Sequence, residues 1–143
     1  MSTSPLAQRM AQLGSALGAR EAEHADAITQ AWRRAGALRV EVAEALDAFT
    51  AAATQAGAPQ LAVRLGETRT DDKHLRSVEF DLTRGRHRAI VVVKSRGEVT
   101  LVGPFHQGKA EGPCKSFPFG ADHEIRAALG DFLEKFLAEA ATP

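Results

Sequence analysis

Between Leu75 and Gly103 the hydrophobic pattern has period two. Val78, Phe80 and Leu82 alternate with Glu79 and Asp81, as in a strand with one wet face. Thr83-Arg84-Gly85-Arg86 reads as a turn whose glycine is free to take positive φ. Ala89-Ile90-Val91-Val92-Val93 is apolar throughout and mostly β-branched, which predicts a central strand covered on both faces. Ser95-Arg96-Gly97 turns the chain again, and Val99 with Leu101 opens a third strand. Just upstream, Leu61, Val63 and Leu65 alternate with Ala62 and Arg64 and predict a strand ahead of these three.

On either side the spacing becomes helical. Ser4-Pro5 is a good helix opening, and Leu6, Met10, Leu13 and Leu17 follow at intervals of four, three and four. The stripe thins to Ala27, Ile28, Ala31, Trp32 and Ala35, then resumes at Leu38, Val42, Ala45 and Phe49. Ala56-Gly57-Ala58-Pro59 stops it. Residues 5–56 are therefore one long helix or two helices hinged near Gly36. A single helix would reach about 75 Å at 1.5 Å per residue, so two antiparallel helices or a long helix paired with a second chain are the expected forms. The ladder Met10, Leu17, His24, Ala31, Leu38, Ala45 is too weak at its middle to specify a full coiled coil. Trp32, followed by Arg33-Arg34, is expected to cover the end of the sheet core.

Gly103-Pro104 is expected to end the sheet and open a loop to Gly120, with Phe117 and Phe119 on one face of a short fifth strand. Asp122 reads as an N-cap, and Ile125, Leu129, Phe132, Leu133, Phe136 and Leu137 form the core stripe of a last helix. The fold class is α+β: an N-terminal helical segment over 1–57, then a four- to five-stranded antiparallel meander with a C-terminal amphipathic helix over 58–143, together one domain. The C-terminal helix is expected on one sheet face, and the N-terminal helices or a second subunit on the other.

The formal net charge is zero, which argues against a chain drawn as a whole onto nucleic acid or anionic membrane. The charge is uneven, however: residues 58–120 hold 11 Lys/Arg against 7 Asp/Glu, and residues 121–143 hold 2 against 5. A single cysteine, Cys114, rules out an intrachain disulfide and suits a reducing compartment. The longest apolar run is Ala89–Val93, far short of a membrane span. The first residues lack a basic stretch followed by an apolar one. A cytoplasmic protein off the membrane is the expectation.

Three groups of residues could carry chemistry. Arg84, Arg86, His87 and Arg88, with Lys94 and Arg96 on adjoining strands, could hold phosphates as a single-stranded nucleic-acid surface. Charged hairpin tips equally serve solubility, and no tyrosine is present to stack bases. The 104–120 segment carries Phe105, His106, Lys109, Cys114, Lys115 and Phe117, which could line a ligand or partner site, or fold their rings into the core. Its His and Cys lack the paired spacing of a zinc site, and Cys114 sits in no nucleophile motif. Asp71-Asp72 and Lys73-His74 read as a solvated turn. G-x-x-x-x-G-K-[ST], G-x-G-x-x-G, G-x-S-x-G and H-E-x-x-H motifs are all missing from the chain. No cofactor and no metal are expected. The first expectation is a non-enzymatic adaptor or chaperone-like protein, homodimeric through its N-terminal helices and binding a further protein partner. A nucleic-acid-binding module on the basic hairpin, or a small-ligand or enzyme site under the 104–120 loop, are the alternatives.

Overall fold

The structure, a computed structural model, describes residues 4–71, 76–106, 108 and 112–142. The first helix, α1, runs unbroken from Pro5 to Gln55. Ser4 caps it, its hydroxyl accepting from the Ala7 amide at 3.1 Å, and Pro5 follows in the first turn. No hinge forms at Gly36, where one glycine among alanines costs only about 1 kcal/mol of helix propensity. A single 3₁₀ turn, Pro59–Leu61, takes part of the segment expected as the first strand. What remains of that strand is β1, Arg64–Leu65, and a second short piece, β2, forms at Arg69–Thr70.

The sheet proper is β3 (Ser77–Arg84), β4 (His87–Lys94), β5 (Glu98–His106) and β6 (Cys114–Pro118), all antiparallel. β1 and β2 both pair with β3, so the sheet runs β1/β2-β3-β4-β5-β6. The two tight turns fall where the sequence placed them, with Gly85 and Gly97 at positive φ. β5 departs from expectation by continuing through Gly103 and Pro104 to His106. The reason is a bulge: Val102 pairs with Ile90 and Phe105 with Arg88, so Gly103 and Pro104 together face Ala89. A bulge leaves a residue outside the hydrogen-bond ladder, which is what a proline inside a strand requires. Gly103 has φ +112°, and a Cβ there would stand 3.1 Å from Ala89 Cα.

The second helix, α2, spans Asp122–Ala140. Ala121 rather than Asp122 holds the cap position, and Asp122 instead pairs with Arg34 of α1 at 3.2 Å. Ile125, Leu129, Phe132, Leu133 and Phe136 are buried as the stripe predicted, and Leu137 packs at their margin.

Both helices lie on the same face of the sheet, which corrects the expected division of one face each. Val78, Phe80, Leu82, Ala89, Val91, Val93, Val99 and Leu101 point to that side and form one core with Ala31, Ala35, Leu38, Val42 and Leu46 of α1 and the α2 stripe. α1 covers β3 and β4, while α2 covers β5 and the neighbouring half of β4. The period-two alternation leaves Glu79, Asp81, Ile90, Val92 and Val102 half-buried on the other face, so β4 is covered on one side only. Trp32 is 39% exposed and is not among the residues packed against the core. No helix among the described residues is long and apolar enough to cross a membrane.

Candidate functional site

The basic hairpin does not gather into one surface. Arg84 turns back toward the body: its Nε donates to the Gln60 carbonyl at 3.1 Å and its guanidinium also reaches the Ala140 carbonyl at the end of α2. His87, buried, donates Nε2–H to the Thr142 carbonyl at 3.0 Å. Arg88 emerges on the opposite face and pairs with Asp81 at 3.1 Å. Lys94 and Arg96, at the far end of the strand, converge on Glu98. Arg86 alone points out from the tip, exposed and without an ion pair among the described residues. Alternation along β4 is the cause, because successive side chains go to opposite faces.

Residues of the 104–120 segment are also dispersed. Phe117 packs against the core, Phe105 lies on the uncovered face, and Cys114, Lys115 and His106 are exposed. His106 meets His87 edge to face at 4.7 Å, over a shallow depression bounded by Ala138, Glu139 and Thr142. His87 Nδ1 has no partner there among the described residues. Lys109 and Glu111, like Asp72, Lys73 and His74, lie outside the described residues. Among the described residues no three His, Cys, Asp or Glu side chains cluster as metal ligands would.

The uncovered face carries a short charge network that the sequence did not disclose. Arg69 of β2 bridges Glu79 at 2.8 Å and Asp81 at 3.3 Å, and Arg88 completes the row. Burial alone would lower the Arg69 pKa, but the Glu79 and Asp81 carboxylates outweigh it and hold the guanidinium above its ordinary range. Beside this network Ile90, Val92 and Val102 form an apolar strip.

The largest unsatisfied feature is α1 itself. Every residue from Ser4 to Glu23 is exposed, so the first 19 helical residues, about 28 Å at 1.5 Å per residue, project past the sheet as an arm. Its stripe is bare: Leu6 is 65% exposed, Met10 51%, Leu13 50% and Leu17 47%. This is the same helix face that binds the sheet further on. Leu13 and Ala31 are separated by five turns at about 3.6 residues per turn, as are Leu17 and Ala35; Leu6 and Val42, and Met10 and Leu46, are separated by ten. Ala31, Ala35, Val42 and Leu46 are buried. The core stripe therefore runs on into solvent.

Beneath the root of the arm is a groove of about 910 Å³. Leu17, Arg20, His24 and Ala27 form its helical wall, Arg76, Ser77 and Arg96 form the end of the sheet, and Val92 and Val102 extend it onto the uncovered face. Comparison with protein-family models, curated proteins and solved structures finds no match.

Proposed function

We propose that the protein is a non-enzymatic, homodimeric binding module of the adaptor or chaperone-like kind, its protomers joined through the arm of α1. One observation carries this reading: an apolar stripe, continuous with the core face of the same helix, stands in solvent over Leu6, Met10, Leu13 and Leu17. Four large apolar side chains in a row at helical spacing mark a surface meant to be covered. A second copy brings the same stripe, so one surface serves both sides of a two-fold contact. The uncovered sheet face, with Ile90, Val92 and Val102 beside the Arg69–Asp81–Arg88 network, is then left for a client protein. A free, exposed Cys114 suits a reducing compartment, and we place the protein in the cytoplasm.

The other two readings draw less support. Arg84, Arg88, Lys94 and Arg96 are each engaged by carbonyls or carboxylates of the chain itself, which lowers their value to a phosphate backbone. The small-ligand reading needs residues of the 104–120 segment to converge, and the described ones, Phe105, His106, Cys114, Lys115 and Phe117, are dispersed. Sedimentation equilibrium over a micromolar concentration range is the test. The wild-type chain should fit a dimer and Leu13→Glu/Leu17→Glu a monomer of unchanged helical content. A wild-type monomer throughout that range would end the proposal.

A further inference from the structure

We infer that the two copies pair antiparallel along the arm, centred on Ser15, with each helix tip entering the groove at the root of the other arm. The inference rests on the dimer reading above and adds its geometry. Its first support is steric. The exposed stripe and the sheet occupy the same side of α1, because residues five and ten turns apart share one azimuth. In a parallel pair both sheets would stand on the seam side at the same end and compete for one space. Reversing one helix puts the two bodies at opposite ends.

The second support is charge. Leu6, Met10, Leu13 and Leu17 repeat as alternating seam positions of a heptad, and Arg20 and His24 continue that seam. A parallel, in-register pair would set Arg20 against the partner's Arg20 and His24 against the partner's His24. The antiparallel register sets Leu13 against the partner's Leu17, Met10 along the aliphatic stem of the partner's Arg20, and Leu6 against the partner's His24. In the same register Arg9 flanks the seam opposite the partner's Glu23. Both charged residues are exposed and free of an ion pair among the described residues.

The third support is length. In this register the partner's Leu6 reaches His24, and the overlap stops where α1 passes under its own sheet at Ala31. Just there the groove opens, walled by Leu17, His24, Ala27 and Arg76.

The test uses the full chain with Cys114→Ser and single spin labels at Gln8, Ser15 or Ala22, all exposed and on the side of the arm away from the seam. Double electron–electron resonance then reads the distance between copies. Antiparallel pairing offsets the Gln8 labels and the Ala22 labels axially by about 21 Å each and leaves the Ser15 labels level, so the Ser15 distance should be clearly the shortest. Three equal distances would establish a parallel dimer and overturn the register while leaving the dimer reading intact. A monomer by sedimentation would overturn both. In an independent measurement, Arg9→Glu should weaken the dimer about three- to tenfold, and adding Glu23→Arg should restore it. No restoration in the double variant would count against the register.

Discussion

Replacing Leu13 and Leu17 with alanine together separates the stability of the dimer from that of the protomer. Complete burial of a leucine side chain is worth about 1.5–3 kcal/mol. Leu13 and Leu17 are 50% and 47% exposed in the single chain, so about half of that gain is still available when the seam closes, near 1 kcal/mol each. The dimer holds four such side chains, so the double variant should lose about 4 kcal/mol of association, a rise in Kd of about a thousandfold. Alanine keeps the helix, because it has the highest helix propensity, and neither leucine belongs to the protomer core. Sedimentation velocity across a concentration series gives the Kd, and circular dichroism checks that helicity is retained. An unchanged Kd in the double variant would refute the reasoning, because it would mean the stripe stays wet in the assembled protein.

Other consequences are tested on protomer stability in urea. Phe136→Ala should cost about 3–5 kcal/mol, because the ring is fully buried between sheet and helix. Asp81→Ala leaves the Arg69 and Arg88 guanidiniums without the carboxylate between them and should cost about 1–3 kcal/mol, against less than about 1 kcal/mol for Glu98→Ala at the more open Lys94–Arg96 site. Gly103→Ala combines φ +112° with a contact on Ala89 Cα and should destabilise by about 1–3 kcal/mol, whereas Gly130→Ala in open space on α2 should stabilise by about 0.5–1 kcal/mol. Arg84→Ala should lower the melting temperature through lost bonds to Gln60 and Ala140, and Arg86→Ala should leave it unchanged.

The parts of the fold legible in the chain are those written by local periodicity. The stripe Ile125 to Phe136 and the alternation Val78 to Leu82 settle which face is buried before any neighbour is known. What was not legible depended on partners distant in sequence. Whether Gly36 breaks α1 is decided by Ala35 and Leu38 docking on the sheet. Whether Pro104 ends β5 is decided by Ala89 on the adjacent strand, which accommodates a bulge. The cluster Arg84 to Arg88 looked like a patch because it is contiguous in sequence, yet Arg84 and Arg88 find carbonyl and carboxylate partners in different parts of the fold. The stripe Leu6 to Leu17 was visible from the start. That it is bare and shares its azimuth with the core face of α1 needed the sheet to be placed first.

The continuity of α1 has a thermodynamic consequence. A peptide of the arm's length alone in water would be a marginal helix, because the first turn must be ordered at a loss before later turns repay it. Here Ala31 to Leu46 are already clamped to the sheet, so the arm grows from an existing nucleus and meets only the small cost of propagation. Its order should therefore decline smoothly toward Ser4, with amide exchange fastest at the tip and slowest at the root. It should also vanish in the same transition that melts the sheet. The seam is thus delivered to its partner already helical, and association need not supply the entropy of folding it.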